Sequence, residues 1–255
     1  DGSKGYAASF GGRQTYLWRP HWLEAIANDK DARAKALASG EKSLSSPIYS
    51  VTDKSRTIPN ASLHDYISIG PYWWPDPKKP DGLPYYRRDG DANPERDGPE
   101  FDKARTTQLS SSLRSLAIAY YITEERRYAE RGAELVRRWF LDPATRMNPN
   151  LDFAQGIPGK VNGRGEGIIE ASHFSRVIEA VGVMQPAGAM TDDEHAALRQ
   201  WYAEFARWMA TSDNGIDELN KNNNHGVFYD FYLAHFALYT GMDNVTISLV
   251  KSFPK

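Results

Sequence analysis

The sequence predicts an all-α protein, an α/α toroid of antiparallel helix pairs with long loops that form a cleft. Three observations predict it. Apolar stripes of helical period dominate from residue 101 onward. Strand signals are sparse. The helices are joined alternately by short turns and long loops, which is the rhythm of stacked antiparallel pairs. Such pairs curve into a solenoid or close into a ring, and long loops at one end of a ring make a cleft. No sequence repeat accompanies that rhythm. The 255 residues are read as one domain, 1–255, with ample chain for a core.

Residues 1–20 are Gly-rich and aromatic, without a period. From His21 to Leu44 one helix is expected, striped by Leu23, Ile26, Ala27, Ala34 and Leu37. Residues 46–100 are rich in Pro, Gly, Asp and Tyr and are expected to form an ordered functional loop over the cleft, because structureless stretches of that length usually carry function. Leu109, Leu113, Leu116, Ala117 and Tyr120 mark the next helix. Thr123 is the expected N-cap of another, which uses Tyr128, Leu135, Val136, Trp139 and Phe140. After an Asn-, Pro- and Gly-rich loop (143–166), Phe174, Val177, Ile178 and Val181 mark a third. Thr191-Asp192-Asp193-Glu194 has the form of a capping box before a fourth, striped by Leu198, Trp201, Tyr202, Phe205 and Trp208. Residues 222–240 form a fifth, with Phe228, Phe231, Tyr232, His235 and Leu238 as its expected buried face, and a sixth starts near Asn244.

Composition narrows the function. A hydrophobic share of 40% and a charged share of 25% are ordinary for a globular chain. Seven Trp and fourteen Tyr suit stacking on sugar rings, although large cores use them too. A net charge of −2 argues against nucleic-acid binding, but an acidic substrate answers only to the local field of a cleft. The absence of cysteine removes disulfides and thiolate metal sites. No apolar run approaches the roughly 20 residues of a membrane span, so no membrane partner is expected. The chain begins at Asp1 rather than Met, which is read as removal of an upstream segment.

The most informative run is Asn222-Asn223-Asn224-His225-Gly226, set where a helix begins. A helix N-terminus presents unpaired N–H groups and positive dipole character. Carboxamides and an imidazole added there make a site suited to a sugar carboxylate and to the extra negative charge that follows removal of the neighbouring proton. The plainer alternative is that Asn222 or Asn223 is an N-cap and His225 a first-turn residue. Two further segments belong beside it. Tyr72, Trp73 and Trp74 lie on a Pro-stiffened loop and cannot all face one core, while Arg87 and Arg88 have the shape of a carboxylate clamp. The second segment carries five glycines between Gly156 and Gly167, with Lys160 and Arg164 as an expected anion patch. Behind it Glu170 and His173 stand on one helix face, expected as a hydrogen-bonded pair on the cleft floor. The ligand set a metal needs is missing, so neither metal nor cofactor is expected.

The stretches HDYISIGPYWWPDP, GLPYYRRDGDANPE, GKVNGRGEGIIEASH and NNNHGVFYDFYLAHFALYTG resemble the alginate lyase domain superfamily, which includes the family 5 alginate lyases and the related glucuronan- and alginate-cleaving lyases of family 38. The resemblance spans most of residues 60–240. It implies an α/α toroid and β-elimination on an acidic polysaccharide, in a periplasmic or secreted setting. It places Asn224 and His225 at the substrate carboxylate as the catalytic pair. Asn223, Tyr72, Trp73, Trp74, Arg88, Lys160, Arg164, Glu170, His173 and Tyr229 are then the expected substrate contacts. The family pattern also implies a later segment with an Arg and a proton-transferring Tyr, expected beyond Lys255. Within the chain Tyr229 and Tyr232 are the alternatives for that proton, or else core residues. Two rival functions stand beside the lyase. One is a glycoside hydrolase drawing on Glu166, Glu170, Asp217 and Glu218, and the other is a noncatalytic polyuronate-binding protein.

Overall fold

The computed structural model describes residues 2–252. Helix α1 (Pro20–Asn28) is followed at once by α2 (Lys30–Leu44). The single helix expected over 21–44 is therefore two. Asp29 divides them because its carboxylate accepts a hydrogen bond from Ala32 N at 2.7 Å, so an N-cap interrupts the run. The long segment that follows is ordered by short strands: β1 (Ile67–Ile69), β2 (Trp73–Trp74) and β3 (Tyr86–Arg87). Strands β2 and β3 pair antiparallel, with Trp73 opposite Arg87 and Trp74 opposite Tyr86.

Helix α3 (Lys103–Thr123) and α4 (Arg126–Val136) form a hairpin, and α4 runs into a π-helical turn at Arg137–Leu141. Thr123 is not the N-cap expected of it. It ends α3, donating to Ala119 O at 2.9 Å, and Glu124 makes the turn in the left-handed region. Strand β4 (Phe153–Gly156) runs parallel to β1, and a 3-10 segment (Gly165–Ala171) leads into α5 (Ser172–Met184). Helix α6 (Asp192–Thr211) begins with both halves of the Thr191–Glu194 capping box, at 3.2 and 2.8 Å. A helix the sequence pattern did not mark, α7 (Asp213–Leu219), follows, capped by Ser212 Oγ accepting from Gly215 N. Then come α8 (Asn224–Thr240) and α9 (Asp243–Ser252).

The helices are arranged as expected of an α/α toroid, with α3, α5 and α8 packed in succession and α2, α4 and α6 behind them. The core between them is aromatic. Trp201 meets Phe140 edge-on at 4.8 Å and stacks on Phe205 at 5.3 Å, while Tyr202 packs on Phe236 and Tyr239. Each such contact contributes about 0.5–1.5 kcal/mol beyond the burial of area. The buried face of α8 differs from the expected one. Tyr229, Tyr232, Leu233, His235, Phe236 and Tyr239 are buried, whereas Phe228 and Phe231 are exposed and Leu238 is half-buried. The helix is apolar on almost every side, so apolar spacing alone cannot choose its inner face.

The N-terminal ends of α3, α5 and α8 share one end of the molecule with the β1–β4 pair, the 3-10 segment and α7. Asp102 ties the first of these together: its amide donates to Ile67 O and its carboxylate accepts from Ile67 N, both at 2.9 Å. The loops therefore gather where three helix N-termini point.

Candidate active site

At the start of α8, Asn223 is the N-cap, its Oδ1 accepting from His225 N at 2.8 Å. Its side chain is thus engaged with the helix, as in the plainer reading, rather than held out as a substrate contact. Asn224 is exposed and its carboxamide has no hydrogen-bond partner among the described residues. His225 Nδ1 lies 2.6 Å from Oε1 of Glu218 on α7. Glu218 is 1% exposed, and burial raises its pKa against the opposing pull of the imidazole. An ionised carboxylate accepts only, so Nδ1 carries the proton of that bond, and it is the neutral ring that has a lone pair on Nε2. Sequence reasoning named Glu218 solely as a hydrolase carboxylate. Its seven-residue separation from His225 crosses an unrecognised helix, and so the pair was hidden.

A ladder of charge stands beside this pair. Lys221 Nζ bridges Asp217 at 2.9 Å and Glu166 at 3.4 Å, and Glu166 also meets Arg164 Nη1 at 3.5 Å. Arg164 is held further by Gln155, whose carbonyl accepts from Nε and whose Oε1 accepts from Nη2, both at 2.9 Å. Lys160 lies over the face of Trp73, 4.6 Å from its centroid. Within the expected anion patch Arg164 is therefore paired with Glu166 and held by Gln155, whereas Lys160 has the Trp73 ring against it. The glycines of this loop admit backbone rather than ligand. A methyl group at Gly163 would collide with the Asp152 carbonyl, and one at Gly165 would stand 2.5 Å from Asp217 Oδ2.

The β2–β3 flap carries the aromatic run. Tyr72 is exposed and Trp73 and Trp74 are half-buried. Trp74 donates to Asp91 O at 2.9 Å and has the Arg88 guanidinium 4.4 Å above its ring. Arg88 is also paired with Asp91, and Arg87 with Asp89 at 2.9 Å, so neither is a free carboxylate clamp. The flap does reach the Arg164 group, since a Cβ added to Gly70 would lie 2.6 Å from Trp73 Cδ1 and 3.1 Å from Arg164 Nη2.

The matching family model is that described as "Alginate lyase", over residues 50–255. The chain belongs to the alginate lyase family. A crystal structure of an alginate lyase from Bacteroides ovatus is 36% identical, with a TM-score of 0.89, covering 95% of this chain and 65% of that one. The present chain thus spans just under two thirds of that alginate lyase. No curated protein matches it.

Three of the residues expected to touch substrate in this alginate lyase family member lie in its interior. Glu170 and His173 are buried and do not pair with each other: Glu170 accepts from Tyr66 Oη at 2.8 Å and Ser68 Oγ at 2.7 Å, and His173 Nδ1 meets Ser110 Oγ at 3.0 Å. Glu170 belongs to the 3-10 segment (Gly165–Ala171) and His173 to α5 (Ser172–Met184), so the two do not share the single helix face expected of them. Tyr229 is 1% exposed and donates to Met209 O at 2.8 Å, and burial pushes its phenol up to about 12. Tyr232 is likewise buried and raised. Both tyrosines are core residues.

Proposed function

We propose that this chain carries the cleft of a polysaccharide lyase that acts on a uronic-acid polymer, alginate or glucuronan, by β-elimination. Such polymers lie outside the cytoplasm, and a periplasmic or secreted setting goes with the proposal. One observation carries it: His225, at the start of α8, is held by buried Glu218 in the tautomer whose Nε2 is a free base, beside the unengaged carboxamide of Asn224. Asn224 hydrogen-bonds the substrate carboxylate and takes up the charge that grows there as C5 loses its proton. Nε2 accepts that proton. The C4–O4 bond then breaks, O4 leaves with a proton taken from water, and a C4–C5 double bond remains on the new non-reducing end. A preorganised donor of this kind is worth about 3–4 kcal/mol.

The hydrolase reading loses its acids. Glu218 is spent on His225, Glu166 and Asp217 on Lys221, and Glu170 on Tyr66 and Ser68. Incubation with alginate, its block polymers and glucuronan is expected to release product that absorbs in the ultraviolet. Asn224→Ala and His225→Ala each lower turnover by about 10²–10³-fold while the circular dichroism spectrum is kept. Cleavage without ultraviolet-absorbing product, or wild-type rates in either variant, overturns the proposal.

A further inference from the structure

Arg164 and Lys221 beside the active site meet carboxylates, whereas the cations of a second groove do not. Between α2 and α3 runs a groove of about 350 Å³. Ala32, Lys35, Ala36 and Ser39 line one wall, and Ser111, Arg114, Ser115 and Ile118 the other. Both sets follow the i, i+3, i+4, i+7 spacing of a single helix face. Arg176 of α5 closes one end. Small residues make the floor and long cations the rim.

Lys35, Arg114 and Arg176 are exposed and make no ion pair with any described residue, and no Asp or Glu lines the groove. That contrasts with Arg164, Lys221 and Arg137, each of which meets a carboxylate within 3.5 Å. Three like charges focused in one concavity repel one another, and a chain of net charge −2 has carboxylates to spare for them. Their field is left for a ligand. Ser111 adds a hydroxyl that has no partner among the described residues.

We propose that this groove is a second anion-binding site, which takes the carboxylates of an acidic oligosaccharide at a distance from Asn224 and His225. The choice of a sugar acid rests on the polyuronate reading above. The choice of an anion does not. Arg176 also lines a second hollow with Trp18 and with Phe228 and Phe231 of α8. A chain of sugars held here keeps the polymer on the protein between cuts.

The test uses a protein whose cleft is disabled by Asn224→Ala and His225→Ala. A uronate hexamer is expected still to bind it, more weakly as salt rises. Adding Lys35→Gln and Arg114→Gln weakens that binding about tenfold. Lys30→Gln with Arg33→Gln, the same change of two charges on α2 but outside the groove lining, leaves it within about twofold. No hexamer binding by the cleft-disabled protein, or equal binding by all variants, overturns the proposal. Inorganic sulfate separates this idea from the lyase reading. It is expected to shift the amide resonances of Ser39, Ser111 and Ser115 in the otherwise unaltered protein, and not in the Lys35→Gln/Arg114→Gln variant. Sulfate shifts in a protein that cleaves no polymer leave the groove standing and the lyase reading fallen, whereas no shifts at all sink the groove.

Discussion

His173 shows what burial does to a single side chain. It has hydroxyl partners only, Ser110 at 3.0 Å and Thr107 at 3.4 Å, and burial together with the nearby Arg176 and Lys103 charges lowers its pKa to about 4. The unfolded chain binds that proton near pH 6.5, so between these values the unfolded state holds more protons than the folded one. The stability linked to His173 is therefore complete above pH 6.5 and is lost as pH falls toward 4. Its full size is about 3 kcal/mol, from 1.36 kcal/mol per pKa unit. Urea unfolding at pH 7 and pH 4.5 is expected to show a wild-type loss about 2 kcal/mol larger than that of His173→Gln. Equal losses would remove His173 as the cause. At this scale the sequence was legible where a residue's role is local. Asn223 as a cap and Asn224 and His225 at a helix start could be read from their order. Glu218, the partner that sets the imidazole's tautomer, could not, because seven residues and a turn separate it from His225. Nor could Lys160 or Arg88, whose charges were visible but whose engagement with Trp73 and Trp74 depends on how the flap folds back.

Among the elements, β4 does what no periodicity announces. Ile67 pairs with Phe153 and Ile69 with Gly156, so β4 carries one residue more than β1 across the same step. Gln155 lies within that bulge with φ +48, a conformation that costs a non-glycine residue about 1 kcal/mol or more. The bulge is fixed by Ser68 Oγ, which accepts from Gln155 N at 2.8 Å, and it turns both the carbonyl and the carboxamide of Gln155 onto Arg164. Gln155→Gly relieves the backbone but leaves Arg164 with one partner fewer, a loss of about 1.5–3 kcal/mol for a bond to a charged group. The loss outweighs the relief, so thermal stability is expected to fall by about 1 kcal/mol while the loosened guanidinium lowers activity about tenfold. A variant with full activity would show that Arg164 needs no such hold. The helices themselves were legible from stripes and from the Thr191 capping box. The exceptions were short-range contests. Asp29 split one expected helix, and α7 is too short to establish a period.

Across the whole molecule, one buried carboxylate joins three parts distant in sequence. Glu179 of α5 is fully buried. Its Oε2 accepts from the amides of Leu17 and Trp18 at 3.0 and 2.8 Å, and both its oxygens stand near Tyr16 N. His235 of α8 meets Oε1 at 2.8 Å through Nε2, and Ser175 Oγ meets its Nδ1 at 2.6 Å. The Ser–His–Glu order looks like a nucleophile relay, yet the acid is turned to backbone and the group is sealed inside. It is a clamp that closes the N-terminal segment onto the inner helices. The sequence showed Gly-rich, aromatic residues 1–20 without a period, because their order comes from a side chain some 160 residues away. Glu179→Ala strands three amides and an imidazole in the interior, at about 1–3 kcal/mol for each donor that water cannot reach. It is expected to lower the melting temperature and to release amide exchange protection at residues 16–18 before it does so in α3 or α6. Glu179→Gln keeps the shape and an acceptor oxygen but loses the charge, so its loss should be the smaller. If exchange at 16–18 stays slow in Glu179→Ala, the N-terminal segment is held by packing alone and the clamp is incidental to the fold.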